Sequence, residues 1–199
     1  MPYFTHLHVH SHYSILDGMS KVPDLISKCK RNGMYAMALT DHGNMFGIKE
    51  LVDTVKKENG KVKDKIKELE AKKAELEAKI KEVEELYSNT EVPEGTPRLS
   101  DLQEEAAAID PQLAALNGQF FKPIIGIETY CAHRTLYDKD PTVKERDPET
   151  GRDRITDRSG WHLILLAKNK QGYKNLCKLS SIAFTEGFFY HPRIDHNLL

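Results

Sequence analysis

The sequence predicts an α/β fold built from parallel strand–helix–strand units and interrupted by an inserted helical hairpin. Three observations carry this. Residues 3 to 9 form an apolar-rich run that ends in turn residues; an amphipathic segment follows, and then a second apolar run from Met34 to Leu39. Histidines and acids gather where these runs end. From Lys61 to Leu86 the composition shifts to eight Lys against eight Asp or Glu, with apolar residues recurring alternately four and three apart.

Taken in order, residues 3 to 9 read as a buried strand feeding a functional loop, since their aromatic, β-branched and Leu positions give way to Ser, Tyr, Asp and Gly over 11 to 18. Val22, Leu25, Ile26 and Cys29 recur at helical spacing, Pro23 suits a first turn, and Gly33 supplies a left-handed stop. Met34 to Leu39 suits a strand buried on both faces. Strand, helix, strand implies a parallel unit with a right-handed crossover and function at the carboxyl ends of the strands. A second helix starts near Met45 to Lys49 and turns Ile48, Leu51, Val52 and Val55 inward.

Val62, Ile66, Leu69, Leu76, Ile80, Val83 and Tyr87 then form a heptad stripe broken once, by Lys73, with Glu75–Lys79 and Glu77–Lys81 as supporting pairs. Asn89 to Ser100, with Pro93, Gly95 and Pro97, reads as a loop. Asp101 to Leu116 returns with Leu102, Ile109, Leu113 and Leu116 apolar, as one helix or as two short ones divided near Pro111. The balanced charge favours a self-packed coiled-coil arm over a DNA reader. Phe120 to Tyr130 is a strand carrying Glu128, and residues 134 to 159 are expected to be a mobile surface loop. Trp161 to Ala167 is a further strand; the helix from Gln171 to Phe184 should turn Tyr173, Leu176, Leu179 and Ile182 inward. The expected organisation is a first domain part over 1–58, the inserted arm over 59–119 and a continuation over 120–199.

With 199 residues, 39% hydrophobic, the chain fits one domain or slightly more. Its net charge of −1 argues against a general polyanion-binding surface and leaves room for local basic patches. Cys29, Cys131 and Cys177 are odd in number and widely spaced, which argues against disulfides or a thiolate zinc site and for a reducing cytoplasm. No basic and apolar leader and no long apolar window is present, so a soluble, unexported protein without membrane partners is expected.

The chemistry concentrates in Thr5 to Gly18, where His6, His8, His10 and His12 precede Asp17. Strand alternation permits His8 with His10, or His6 with His8, to face one ion. Leu39-Thr40-Asp41-His42-Gly43-Asn44 adds a histidine and an acid at the end of the next strand. Glu128, inside a strand, costs several kcal/mol to bury alone, so a cation, a hydrogen-bond network or a metal is needed there. His162 begins its strand and falls on the wrong rim of a strictly parallel arrangement. Imidazoles and carboxylates without thiolate suit zinc, manganese or iron, and such sets with several ions serve phosphoester hydrolysis. His6, His12 and His133 read as ordinary side chains, and Cys29 and Cys177 as helix-face core. Ser14 lacks a G-x-S-x-G elbow and reads as a turn residue. Arg193 is a phosphate fork or a salt-bridge partner.

Leu7-His8-Val9-His10-Ser11 with Leu16-Asp17-Gly18, and Leu39 to Asn44, resemble the PHP family, named for polymerase and histidinol phosphatase. Lys122 to Glu128, His162 to Asn169 and Gly172 to Leu176 are similar to the amino-terminal PHP domain of bacterial DNA polymerase III alpha subunits. The resemblance covers about 1 to 52 and 120 to 199. It implies a distorted (β/α)7 barrel, here truncated, with up to three divalent metal ions and phosphoester hydrolysis, including 3′–5′ exonuclease activity in some members. By motif, His8, His10, Asp17, His42, Glu128, His162 and His191 are the implied ligands, with Asp17 and His42 also assigned to catalysis. The implied partners are DNA, the remainder of the alpha subunit and a proofreading exonuclease subunit. In some members the site is degenerate and the domain is a structural docking module; here the ligand positions are retained. The family's closing Asp-x-His pair is matched only by adjacent Asp195-His196, so the real pair is expected beyond Leu199. No polymerase palm carboxylates are recognisable, and the chain is expected not to extend DNA.

Overall fold

A computed structural model describes residues 4–15, 17–88, 95–158 and 160–199. Tyr3 of the expected first strand, Leu16 of the Leu-Asp-Gly motif, Pro93 of the expected loop and Ser159 lie outside them. The chain divides into two compact units, Met1–Val55 with Lys122–Leu199, and Lys56–Phe121.

In the first unit, α1 (Val22–Arg31) begins with Pro23 in its first turn, places Lys28, Lys30 and Arg31 in its last, and ends before Gly33 at φ 73°. Its apolar face, Val22, Ile26 and Cys29, is buried, and Cys29 Sγ lies 3.7 Å from Met37 Sδ, so α1 sits on β1 (Ala36–Leu39). Each such side chain contributes about 1.5–3 kcal/mol over its exposed state. Of the strand expected over residues 3 to 9, residues 4 to 9 make a single parallel bridge, His6 with Met37. Ala38 donates to His6 O and Thr40 to Val9 O, so this segment advances three residues while β1 advances two. The extra residue is a bulge; the Thr40 hydroxyl accepts from Val9 N there, in place of a regular ladder.

α2 (Ile48–Tyr87) buries Ile48, Leu51 and Val55 within the first unit. Val52, expected inward, is exposed, since 100° per residue carries it off the face that Leu51 buries. The central strand is β2 (Lys122–Ala132), parallel to β1 over Ala36–Leu39. The connection after β2 is not the mobile loop expected. It folds into a hairpin of β3 (Lys144–Arg146) and β4 (Asp153–Ile155), turning through Gly151 at φ 67°. With a hairpin there in place of a crossover helix, the chain returns antiparallel: β5 (Gly160–Leu166) pairs with β2 from Gly126↔Leu166 to Ala132↔Gly160. β6 (Arg193–Ile194) pairs parallel with β2 at Tyr130 and Cys131. The sheet is therefore mixed, and among the described residues it does not close into a barrel.

α5 (Lys170–Thr185) starts at Asn169, whose side chain accepts from Gly172 N. It covers β2, β5 and β6 through Cys131, Ala183 and Ile194, with Leu163, Leu165, Leu179 and Leu198 packed around them. Leu176 is buried as expected, whereas Tyr173 is half exposed. Arg193 is fully buried and donates to Gly187 O, Asp157 O, Leu136 O and Asp138 O, so it is neither a phosphate fork nor a surface ion pair. Asp195 accepts from Leu136 N and Asn197 N.

Asp157, almost fully buried, accepts from Arg134 Nε and Nη2 and from Asp140 N. The Arg134 hydrogen bonds hold its carboxyl below the usual range against the opposing effect of burial. A depressed folded pKa gives stability that is present above the unfolded value, near 4, and lost as pH falls through the folded one. Asp157→Asn should therefore lower the melting temperature at neutral pH and flatten its decline below about pH 4, measured by thermal melts from pH 7 to 2.

In the second unit the rest of α2 carries the stripe. Val62, Leu76 and Val83 are buried and Ile66, Leu69, Lys73 and Ile80 half-buried; Tyr87 is exposed. The return is two helices, α3 (Leu99–Ala107) and α4 (Ile109–Asn117). Pro111 falls in the first turn of α4, where its missing N–H costs nothing, so the break comes at Ala108. Leu76, Ala106 and Ile109 form the core, flanked by Leu69, Ile80, Leu102 and Leu113. Lys73, the polar break in the stripe, meets Asp110 at 2.5 Å. Glu75 pairs with Lys79 at 2.6 Å, while Glu77 lies 4.0 Å from Lys73. Asn59 closes the base, donating to Phe121 O and accepting from Phe121 N. No helix among the described residues is long and apolar enough to cross a membrane.

Candidate metal centre

The loop after the first segment is shaped by Asp41, which is buried and accepts from Ser11 N at 2.7 Å, Ser11 Oγ at 2.9 Å and Ser14 Oγ at 3.2 Å. Ser14 Oγ in turn accepts from His42 N. Both serine hydroxyls are thus spent on the turn. At Gly18 an added Cβ would stand 2.2 Å from Ser11 O, so only glycine lets the chain double back there. That return brings Asp17 Oδ2 to 2.6 Å from His42 Nδ1. The His42 hydrogen bond is the main reason the Asp17 carboxyl lies below its ordinary range.

Glu128 is the centre. It is only 5% exposed, and its Oε2 faces His10 Nε2 at 2.7 Å and His8 Nε2 at 3.8 Å. Its Oε1 faces His162 Nδ1 at 3.1 Å. His162 reaches this rim because β5 runs antiparallel: its first residues lie beside the end of β2, with His162 opposite Tyr130 and Ile164 opposite Glu128. The wrong-rim difficulty came from assuming a parallel strand. His42 bridges to Glu128 in parallel register, and Gly43 N donates to Glu128 O. Two three-donor groups result, His8 with His10 and Glu128, and His42 with Glu128 and His162, each with its donor atoms within 4.8 Å of one another.

Both groups turn imidazole nitrogens and a carboxylate oxygen toward one another and could hold a cation. Thr40 Oγ1 lies 2.8 Å from His8 Nδ1, which leaves His8 Nε2 facing Glu128. His42 likewise engages Asp17 through Nδ1 and leaves Nε2 toward the site. His10 Nε2, His42 Nε2 and Glu128 Oε2 are buried without a hydrogen bond, the 2.7 Å approach of His10 to Glu128 included. Buried polar atoms converging without hydrogen bonds leave a full desolvation cost that a divalent ion would offset. The donor set fits such an ion, and Thr40 and Asp17 are the outer partners that orient its imidazoles.

Tyr130 was not singled out from the sequence, although it lies two residues from Glu128 on the same strand face. Its ring stacks on His42 at 4.4 Å and on His191 at 4.5 Å. Burial, then the charges of Asp17 and Glu128, raise its phenol pKa. His191 is thereby placed at the rim; burial foremost, then the Arg158 charge, lowers its pKa. It belongs to neither three-donor group, and Asp17 reaches them only through His42. His6 packs edge-on to Phe4, His12 stacks on Tyr13, and His133 packs against Trp161.

The PHP domain family matches residues 6–199, nearly the whole chain. The chain belongs to the PHP family. Similar relatives share the name DNA polymerase III subunit alpha. That of Borreliella burgdorferi is 36% identical over 192 residues, 96% of this chain and 10% of the relative. Those of Aquifex aeolicus and Helicobacter pylori are each 31% identical over 196 residues, 98% of this chain and 11% and 10% of the relatives. The PHP chain thus spans about a tenth of the length of the curated relatives it matches.

Proposed function

We propose that this PHP domain is a metal-dependent phosphoesterase that removes the terminal nucleotide of a DNA strand, a 3′–5′ exonuclease within the alpha subunit of a replicative DNA polymerase acting in the cytoplasm. The observation that carries this is the buried Glu128 carboxylate, whose two oxygens face separate imidazole sets while its Oε2, His10 Nε2 and His42 Nε2 lack hydrogen bonds. His8, His10, His42, Glu128 and His162 would hold the ions, with Asp17 and His191 completing a set for up to three, zinc or manganese before iron. Bound ions supply an acidified water and neutralise phosphoryl charge. The chain orients the His8 and His42 rings through Thr40 and Asp17, and walls the site with Tyr130. Asp17 and His42 are the catalytic pair, able to hold a proton between Oδ2 and Nδ1.

We read the open sheet as part of a distorted (β/α)7 barrel, because Ile164 and Leu166, on the face that carries His162, are exposed as if awaiting cover. The hairpin over 59–119 is read as a coiled-coil arm offering a contact to the remainder of the alpha subunit or to a proofreading exonuclease subunit.

Metal analysis followed by digestion of 3′-labelled DNA tests the function, on this chain and on a longer chain that carries it. Bound divalent metal, and nucleotide release abolished by chelation and by His8→Ala, are expected. A fully metallated protein inert on DNA, in which His8→Ala lowers only the melting temperature, would leave a structural metal module without catalysis.

A further inference from the structure

A cavity of about 510 Å³ lies between the β3–β4 hairpin and the turn at His191, lined by Lys144, Asp153, Arg154, Ile155, Arg158 and His191. Arg154 is committed to Glu145 at 2.6 Å. Lys144 and Arg158 are exposed, and among the described residues no carboxylate pairs with either. Two uncommitted cations therefore face one acid, Asp153, in a chain that is otherwise nearly neutral. The Arg158 guanidinium lies over the Tyr190 ring, 4.9 Å from its centroid, and Tyr190 is half exposed. Tyr190 is also the only non-glycine residue with positive φ, 61°, among the described residues. The tight turn that strains it, closed by Phe189 N donating to His191 O, holds the ring out beside the cavity. A bulky side chain in this region costs about 1–3 kcal/mol and persists where the surroundings impose it, often at functional sites. At its inner end the cavity reaches His191, which stacks on Tyr130, which stacks on His42.

We propose that Lys144, Arg158 and Tyr190 form the entry groove that seats a single-stranded DNA end beside His191. Lys144 and Arg158 take successive phosphates and Tyr190 offers a stacking face to a base, the combination by which single strands are held without sequence preference. The volume is in the range of a small-ligand site, enough for an unpaired nucleotide end. The proposal rests on the reading of the site as a DNA phosphoesterase, and its test is separable because binding is measured without hydrolysis.

Fluorescence anisotropy of a labelled single-stranded oligonucleotide, titrated with the chain in EDTA at several salt concentrations, reads the groove directly. Lys144→Ala and Arg158→Ala are each expected to weaken binding roughly three- to tenfold and to reduce the salt slope by about one. Tyr190→Ala should weaken it about tenfold, while Tyr190→Phe, which keeps the ring, should not. Melting temperatures identify any variant that fails to fold, and Arg158→Lys, which keeps the charge, should retain most of the binding. Unchanged affinity in folded Lys144→Ala and Arg158→Ala would overturn the groove, as would a preference for duplex over single strands. Binding that depends on Arg158 in a metallated protein inert on DNA would support the groove and overturn only the phosphoesterase reading.

Discussion

Glu128→Gln is expected to raise the melting temperature of the metal-free protein and to lower that of the metal-loaded one. Without metal, the buried carboxylate faces imidazole nitrogens, and its Oε2, like His10 Nε2 and His42 Nε2, has no hydrogen bond. A glutamine of the same shape removes the buried charge and offers N–H donors to the unpartnered ring nitrogens, worth about 1 kcal/mol, or roughly 2–4 °C for a domain of this size. With metal at about a hundred times its dissociation constant, the wild-type protein gains roughly 2.7 kcal/mol, about 5–10 °C, and the variant should lose most of that gain. Release of 3′-terminal nucleotide should fall by about two orders of magnitude or more, since even outer partners of a metal site are worth 10–100-fold. Paired melts in EDTA and in manganese or zinc check the crossing of sign. A variant less stable than wild type in both conditions would mean that Glu128 is held by protonated histidines, and the cation-site argument would fail.

The largest loss of stability is expected at Arg193. Its guanidinium is fully buried and donates to four backbone carbonyls drawn from three separate segments. Burial lowers its pKa, yet the side chain starts so high that it stays charged. Arg193→Met would remove the charge and strand four buried acceptors at about 1–3 kcal/mol each, partly recovered by relaxation and water. A net loss of about 3–5 kcal/mol, roughly 6–20 °C, is expected. Arg193→Lys, with three donors on a point charge, cannot span the four carbonyls and should recover less than half of the loss. Because Arg193 ties Gly187 to the 136–138 and 157 backbone, the lysine variant should also loosen the turn that carries His191, read as faster amide exchange over 187–192. Equal melting temperatures for the wild-type and lysine proteins would show that charge alone, without the fork, suffices.

The helices were legible in the sequence because their signals are local. Pro23, Gly33 and the 22–29 spacing bound α1, and Pro111 divides α3 from α4, each through the geometry of a single turn. The heptad stripe marked the buried side of α2 through Val83, and failed at Tyr87, where Leu86 is the half-buried residue. For the strands, apolar content located β2 and β5 but carried no information on direction. The antiparallel run of β5 depends on the connection before it, whose short β3 and β4 pair on their own and leave no crossover helix.

The candidate site follows the same division. The sequence by itself determined the inventory: the H-x-H pair, Asp17 and His42 at the ends of apolar runs, a glutamate too costly to bury without a cation, and a histidine opening another strand. It could not choose between His6 and His10 as the companion of His8 without family resemblance, because alternation treats both alike and the bulge after His6 is not written in any one residue. Tertiary structure decided which atoms meet. Thr40 and Asp17 orient the His8 and His42 rings, the reversed β5 carries His162 to Glu128, and Tyr130 joins the site only because His42 and His191 stack on it. Residue type and spacing are properties of a short stretch of chain, whereas a ring's orientation and a carboxylate's partners depend on segments twenty-five or more residues apart, and these acquire a geometry only when the sheet forms.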